Sequence, residues 1–216
     1  MTSKEKSYSP EFDQSNVEMI TIRNKYRGFF NINEYVFKHA LYEGGQSQEV
    51  TREIFERGHA VAVLPYDPIL DKVVFIEQIR VGAMATKASP WLLEVVAGMI
   101  DKDESKQEVA IREAKEEAGL DIKSLIPMTS YLSSPGGTTE RLYLYLGLVD
   151  SNAAGGVHGL EHEQEDIKVQ VLDYPVALEL LSSGVIDNAA SVICLQWLAL
   201  NREQNLEQWK KVNGNT

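Results

Sequence analysis

The segment from Gly98 to Leu120, GMIDKDESKQEVAIREAKEEAGL, constrains the fold more than any other part of the chain. Ser105 and Glu108 have the spacing of a capping box, in which two side chains satisfy free backbone N–H groups at the start of a helix. Gly119 stands where a helix usually ends, because glycine readily adopts the left-handed conformation of a helix cap. The second half of the segment is therefore predicted to be a helix.

The predicted helix separates small apolar side chains from acidic ones. One face carries Ala110, Ile111, Ala114 and Ala118, and the neighbouring face carries Glu113, Glu116 and Glu117, with Arg112 at its edge. Three carboxylates on one arc repel each other by roughly 3 kcal/mol per pair at ~5 Å and an effective dielectric constant of ~20. A hard divalent cation such as Mg²⁺ or Mn²⁺ would reverse that repulsion. The alternative is a solvated acidic face that pairs with Lys106 and Lys115.

The full spacing of the segment resembles the Nudix box of the Nudix hydrolases. The glycines, glutamates and arginine that define the box are all present: Gly98, Glu104, Arg112, Glu113, Glu116, Glu117 and Gly119. The one departure is Ala114, where the pattern usually has a bulkier aliphatic residue. So many fixed positions make the pattern far more specific than a single glycine motif. The resemblance implies an α/β fold, an α/β/α sandwich around a mixed β-sheet.

Length and composition suit a globular chain whose ligand is not a nucleic acid. The 216 residues are 44% hydrophobic and 25% charged, with a net charge of −11, and such a chain can bury a sizeable core. The acidity argues against a nucleic-acid-binding surface, which needs a basic stripe. We expect no membrane span and no secretory signal. Cys194, the single cysteine, is expected to be buried. With one cysteine no disulfide is possible within the chain, which fits a reducing compartment and a cytoplasmic protein.

Alternating apolar residues predict strands on both sides of the box helix. The predicted strands lie in VEMITIRNKYRGFF, INEYVFKHAL, QEVTREIFERG, HAVAVLPYD, DKVVFIEQIRV, WLLEVVAG, LIPMTSYLSS, ERLYLYLGLV and IKVQVLD, and two closing helices lie in PVALELLSSG and DNAASVICLQWLALNREQ. Residues 1–15 are predicted to be disordered. We interpret residues 1–56 as a small N-terminal antiparallel β element used for dimerisation, since three short strands rarely stand alone. Residues 57–216 are then the Nudix hydrolase domain.

A long acidic loop, DSNAAGGVHGLEHEQED, runs from Asp150 to Asp166. Loops of this length inside compact domains are usually functional or disordered. Glycines beside carboxylates suit a lid that closes on a substrate and supplies a base. Composition alone leaves function and disorder equally open.

Segments outside the box are similar to bacterial ADP-ribose pyrophosphatases, a subgroup of the family. Pro135 follows Gly119 at the spacing typical of that subgroup. Further similar segments are SSPGGTTER, YRGFF, EVTREIFERGHAVAVLPYDP, SPWLLEVVAGMI, HGLEHEQEDIKV and IDNAASVICLQWL. The resemblance covers roughly residues 17–201. It implies Mg²⁺-dependent hydrolysis of ADP-ribose to AMP and ribose 5-phosphate, with Mn²⁺ able to replace Mg²⁺.

The same resemblance implies roles for residues of the box and of the acidic loop. The implied metal ligands are three carboxylates and one backbone carbonyl, those of Glu113, Glu117, Glu165 and Ala97. The implied catalytic residues are a general base, a neighbouring glutamate and an arginine, namely Glu163, Glu116 and Arg112. Glu104 would help Arg112 to orient the box. A small shift in register would exchange Glu161, Glu163 and Glu165, and His162, which departs from the family pattern, is a further candidate base.

The same resemblance implies contacts with the substrate. Arg80 and Arg52 suit the phosphates and the terminal ribose, because guanidinium groups match phosphate geometry; the alternative for each is a surface ion pair. Phe29 would stack on the adenine, or else pack in the core. By resemblance alone, the pocket is completed by Met99, Ser134 and Glu140. Because Phe29 and Arg52 lie in the N-terminal element, the family implies a homodimer with exchanged N-terminal sheets.

Two other functions fit parts of the sequence. A pyrophosphatase for another nucleoside diphosphate sugar, such as GDP-mannose, would use the same metals and base. A non-catalytic Nudix sensor usually has a damaged box and an attached DNA-binding domain, whereas the box here is intact. The expected partner is therefore a small nucleoside diphosphate sugar and neither a nucleic acid nor a membrane.

Overall fold

The computed structural model describes residues 8–101 and 103–213, with side chains up to residue 203, and the chain divides into two compact units. The first unit ends at Arg57 and also includes Ser134–Glu140, and the second contains Gly58–Ser133 and the chain from Arg141 onward. This division concerns packing within one chain, so dimerisation through residues 1–56 stays a prediction. Of the segment predicted to be disordered, residues 1–7 lie outside the described residues. At its other end the prediction is wrong, because Gln14–Asn16 forms a 3₁₀-helix capped by Asp13.

The first unit is a three-stranded antiparallel sheet. Its strands are β1 (Val17–Arg27), β2 (Asn31–His39) and β3 (Val50–Glu56), in that order. The three strands predicted from alternation are confirmed. The loop Ser134–Glu140 belongs to this unit because the Phe55 N–H donates to the Gly137 carbonyl at 2.8 Å. Phe30 packs edge-on against Phe55, with ring centroids 5.1 Å apart.

The described part of the second unit contains a mixed sheet of eight strands. They are β4 (Ala60–Asp67), β5 (Lys72–Ile79), β6 (Trp91–Glu94), β7 (Val96–Met99), β8 (Ser124–Leu132), β9 (Arg141–Leu148), β10 (Val157–His158) and β11 (Ile167–Asp173). The main path runs β10-β11-β5-β4-β9-β8, with β6 beside β5 and β7 beside β4. Strands β4 and β9 are parallel and the other pairs are antiparallel.

Helices cover both faces of this sheet. Helix α1 (Lys106–Ala118) packs on one face, where Val109, Ala110 and Ala114 join a buried cluster with sheet residues. Helices α2 (Tyr174–Ser182) and α3 (Ala189–Asn213) cover the other face, where Leu195 and Leu198 join the second cluster. The predicted α/β/α sandwich with a mixed sheet is confirmed. Within the described residues, no helix is both long and apolar enough to span a membrane.

Two further predictions can be compared with the structure. The run WLLEVVAG was predicted to be one strand, but it forms two, because β6 pairs with β5 whereas β7 pairs with β4. The chain thus crosses from one neighbour to the next at Val95. Cys194 is fully buried in the α3 side of the core, as predicted, and this burial raises the pKa of its thiol.

Candidate active site

Helix α1 begins and ends where the sequence predicts. The Ser105 N–H donates to the Glu108 carboxylate at 2.8 Å, and the Glu108 N–H donates to the Ser105 hydroxyl at 3.3 Å. Gly119 ends the helix in the left-handed conformation, with φ 68°. The three alanines of the predicted apolar face are buried, but Ile111 is 47% exposed, and Val109 is buried instead.

Two glutamates of α1 are held with little contact to solvent. Glu117 is only 4% exposed, and its carboxylate accepts a hydrogen bond from the Ala97 N–H at 3.1 Å. Burial, followed by the charges of Glu113 and Glu165, raises the pKa of Glu117 to about 8. Burial likewise raises the pKa of Glu113, with Glu165 again contributing. The site therefore disfavours negative charge on both carboxylates unless a cation is near.

Gly98 makes room for one of these carboxylates. A Cβ atom at Gly98 would lie 1.8 Å from Oε1 of Glu113, a distance at which no side chain fits. The glycine therefore lets the Glu113 side chain lie close to strand β7, and any larger residue at position 98 would have to displace it.

Arg112 is the counter-ion of the acidic face. Its guanidinium donates to both carboxylate oxygens of Glu104, at 2.9 Å each, to Glu113 at 2.8 Å and to Glu116 at 2.9 Å. These hydrogen bonds lower the pKa of Glu104. The alternative pairing with lysines does not describe this face, because Lys115 pairs with Asp121 and Lys106 lies over the ring of Tyr143.

The donor chemistry of the site fits a hard divalent cation. Among the described residues, no three acidic, histidine or cysteine side chains already have the arrangement of a metal site. The charge of Glu165 nevertheless helps to raise the pKa values of both Glu113 and Glu117, and the charge of Glu113 helps to raise the pKa of Glu117. A cation would remove this repulsion, and carboxylate oxygens are ligands that Mg²⁺ and Mn²⁺ prefer. The residues present therefore fit the predicted metal.

The acidic loop is structured in the described chain. It contains 3₁₀-helices at Ser151–Ala153 and Glu161–Glu163, and strand β10 lies between them. The carboxylate of Glu165 accepts a hydrogen bond from the Leu160 N–H at 3.1 Å. The carboxylate of Glu163 is 56% exposed and lies 3.6 Å from the ring of His162, which is 76% exposed. The structure thus brings Glu165 toward α1 and leaves Glu163 open to solvent.

Of the predicted substrate contacts in the second unit, Arg80 is the one whose charge reaches the carboxylates. It lowers the pKa of Glu117 against the effect of burial. Its Nε donates to Glu94 at 2.6 Å, so the ion-pair alternative is present in the structure, and the contact with a substrate phosphate stays a prediction. Met99 lies on β7 and is 39% exposed. Sequence reasoning did not identify Glu94 as the partner of Arg80. The available signal was a charged residue, a glutamate, inside the otherwise apolar strand WLLE.

The remaining predicted contacts lie in the first unit. Phe29 is 88% exposed at the turn between β1 and β2, so the core-packing alternative is wrong and its neighbour Phe30 packs inward instead. Arg52 is exposed and donates to the Thr51 carbonyl at 2.7 Å. The Ser134 carbonyl accepts two backbone hydrogen bonds that close its turn. Glu140 is buried and pairs with Arg57 at 3.1 Å.

Comparison with known proteins gives the same family as the box. The ADP-ribose pyrophosphatase of Escherichia coli (strain K12) is 52% identical over 198 residues, which span 92% of this chain and 95% of that protein. The GDP-mannose pyrophosphatase of Cronobacter sakazakii is 35% identical over 78% of this chain and 90% of its own length. A crystal structure of an ADP compounds hydrolase superposes with a TM-score of 0.65 over 93% of this chain and 97% of its own, at 19% identity, which supports the fold alone. The family described as NUDIX domain matches residues 56–186. The chain belongs to the NUDIX family.

Proposed function

We propose that the protein hydrolyses the diphosphate of ADP-ribose to AMP and ribose 5-phosphate. The observation that carries this proposal is the pair of nearly buried carboxylates, Glu113 and Glu117, beside the arginine-linked acidic face of α1. Such carboxylates suit the binding of a cation that in turn binds phosphate oxygens. The E. coli relative, an ADP-ribose pyrophosphatase that shares about half of its residues with this chain, supports ADP-ribose as the substrate.

We assign the metal site to Glu113, Glu117, Glu165 and the backbone carbonyl of Ala97. The proposed metal is Mg²⁺, with Mn²⁺ able to replace it, because oxygen ligands of this kind favour both ions. When bound, such ions neutralise the diphosphate and lower the pKa of a bound water. Gly98 supports the assignment, since it lets the Glu113 carboxylate lie against β7.

Two further residues, Glu163 and Arg112, have roles in proton transfer and in orientation of the site. Glu163 accepts the proton of the attacking water, and its exposed carboxylate is free to turn toward a substrate. Arg112 fixes Glu104, Glu113 and Glu116 through four hydrogen bonds and so orients the acidic face. Water attacks phosphorus directly, and no covalent intermediate with the protein is required.

Substrate recognition is assigned first to a cation and to an aromatic ring. Arg80 is already placed where its charge acts on the carboxylate site, and it would exchange Glu94 for a phosphate oxygen. The exposed ring of Phe29 suits stacking on adenine. The remaining assigned contacts are Arg52, Met99, Ser134 and Glu140.

The protein is proposed to act as a cytoplasmic homodimer that exchanges its N-terminal sheets. Strand β1 supports this, because Met19, Ile20 and Ile22 are each at least 41% exposed, and an exposed apolar strand face usually marks an interaction surface. Sedimentation analysis tests the proposal. A monomer at micromolar concentration would contradict it.

A substrate panel tests the activity. ADP-ribose, GDP-mannose, ADP-glucose, NADH and diadenosine polyphosphates are each incubated with Mg²⁺, with and without EDTA. We expect cleavage of ADP-ribose to dominate and EDTA to abolish it, and Glu163→Gln to lower kcat by about 10²-fold or more. Preference for GDP-mannose would favour the second candidate function, which the 35% identical GDP-mannose pyrophosphatase supports. Binding without turnover of any substrate would favour a sensor.

A further inference from the structure

We propose that His158 is a positioning residue that holds the acidic loop, with Glu163 and Glu165, against the C-terminal end of α1. The inference deepens the proposed function and rests on it, because it concerns the placement of the proposed base and metal carboxylate. His158 lies outside the box and is separated from both glutamates by several residues. Its role is inferred from its contacts with the end of α1 and with the loop itself.

The first contact joins the ring of His158 to the end of α1. A Cβ atom at Gly119 would lie 2.6 Å from Cε1 of His158 and within 3.4 Å of both ring nitrogens. The half-buried imidazole therefore occupies the space that a side chain at position 119 would fill. Gly119 thus has two structural roles. It adopts the left-handed backbone conformation of the helix cap, with φ 68°, and its lack of a side chain leaves space for the His158 ring.

Hydrogen bonds fix the ring and the backbone around it. Nε2 of His158 lies 2.8 Å from the Gly155 carbonyl, within the same loop. His158 is also paired with Ile167 through the short antiparallel ladder of β10 and β11. The next residue, Gly159, donates its N–H to the Glu116 carbonyl at 3.4 Å. That carbonyl belongs to the last turn of α1, where carbonyl groups have no partner within the helix.

The same backbone leads directly to the carboxylate of Glu165. The Leu160 N–H donates to this carboxylate at 3.1 Å, and the Glu165 N–H donates back to the Leu160 carbonyl at 3.3 Å. These two bonds close the turn that carries Glu163. A movement of His158 away from Gly119 would therefore change the distance between the loop carboxylates and those of α1.

Three measurements on His158→Ala test the role. We expect the Gly159 and Leu160 amides to exchange hydrogen about tenfold faster, because the loop backbone that carries these donors is no longer held against α1. We expect Mn²⁺ affinity, measured by electron paramagnetic resonance, to fall about tenfold, the size typical for residues that orient metal ligands. With ADP-ribose, kcat should fall at least tenfold while KM changes less than about threefold.

The loop offers a matched control. Val157 precedes His158 on β10 and is 65% exposed, and Val157→Ala should leave exchange, Mn²⁺ affinity and kcat near wild type. His158→Gln keeps a donor for the Gly155 carbonyl, whereas His158→Leu has similar volume and no donor. We expect Gln to recover most of the lost Mn²⁺ affinity and Leu to recover little. If His158→Ala does not fold, the comparison of His158→Gln with His158→Leu still decides whether His158 positions the loop.

A double-mutant cycle with Gly119→Ala tests the contact itself. An alanine Cβ should displace the ring, so the two substitutions together should weaken Mn²⁺ binding far less than the product of their separate effects. The proposal would be overturned if His158→Ala had the same amide exchange rates and the same Mn²⁺ affinity as the wild type. It would also be overturned if the two substitutions had independent effects on Mn²⁺ affinity in the double-mutant cycle. Exchange and Mn²⁺ binding need no substrate. If the wild type failed to cleave ADP-ribose, the proposed function would fail while these two measurements still decided the role of His158.

Discussion

Glu117 should make the cation-free protein less stable as the pH rises, and Glu117→Gln should remove this loss. Burial first, and then Glu113 and Glu165, raise the pKa of Glu117 from its ordinary value of 4.5 to about 8. The folded protein therefore binds this proton more tightly than the unfolded chain. The resulting stabilisation is fully present below pH 4.5 and is lost as the pH rises through about 8.

The size of this effect follows from the change in proton affinity. Each tenfold change corresponds to about 1.4 kcal/mol, so a rise in pKa from 4.5 to about 8 gives an upper limit of roughly 5 kcal/mol. Water entry and small movements of α1 on ionisation lower this limit, and we expect about 2–4 kcal/mol between pH 5 and pH 9. Glutamine keeps a carbonyl oxygen that can accept from the Ala97 N–H but carries no charge.

The assay is urea denaturation in EDTA, followed by tryptophan fluorescence at several pH values. We expect the two proteins to be about equally stable at pH 5 and Glu117→Gln to be more stable by about 2–4 kcal/mol at pH 9. Mg²⁺ should stabilise the wild type more at pH 9 than at pH 5 and should have little effect on the variant. Glu179→Gln, at an exposed position of α2, is the matched control and should follow the wild type. A Glu117→Gln protein less stable than wild type at pH 9 would refute the reasoning.

Three further substitutions test other parts of the site. Gly98→Ala should displace the Glu113 carboxylate, since a Cβ would lie 1.8 Å from it. Mn²⁺ affinity, measured by equilibrium dialysis, should fall by about tenfold or more. An unchanged affinity would mean that β7 moves instead of the carboxylate. Arg112→Lys cannot reproduce the double hydrogen bond to Glu104, so kcat should fall at least about tenfold. A kcat equal to that of the wild type would contradict the role of Arg112 as counter-ion. Gln78→Met should raise the free energy of unfolding by about 1 kcal/mol. The reason is that Nε2 of Gln78 is buried without a hydrogen-bond partner among the described residues. A lower free energy of unfolding would indicate that the amide has a partner in solution.

The ends of α1 were predictable because their signals are local. The capping box of Ser105 and Glu108 and the left-handed Gly119 depend on residues within one turn of the helix. The strands of both units were predictable for a similar reason, since alternation reports which residues can face a core. The predicted fold class then followed from the order of these elements and from the resemblance.

Features that depend on distant partners were not predictable from the sequence. The break between β6 and β7 at Val95 has no turn residue to mark it, because the two strands differ only in which neighbour they pair with. The exposure of Ile111 depends on how α1 is rotated over the sheet, which the periodicity of the helix alone does not fix. The exposed position of Phe29 beside the inward Phe30 depends on a tight turn between two strands.

The candidate site was predicted in its residues more than in its electrostatics. The sequence indicated that Glu113, Glu116 and Glu117 share a face, but it did not indicate that Glu117 is almost fully buried whereas Glu116 remains part-exposed. Nor did it indicate that Arg112 forms ion pairs with three glutamates at once, while the nearby Lys115 pairs with Asp121. The roles of these residues stay predictions, but the unequal burial is a property of the fold.

The burial of Glu117 also gives a physical reason for the small residues of α1. Ala110, Ala114 and Ala118 are each at most 1% exposed, and side chains of this size let a helix approach a sheet closely. Only a close helix allows the Glu117 carboxylate to accept from the backbone of Ala97 on β7. A bulkier residue at position 114 would hold α1 farther from the sheet unless the sheet were reshaped to receive it. The departure of Ala114 from the usual box pattern is therefore consistent with the buried carboxylate, because a small side chain there keeps Glu117 within reach of its backbone donor.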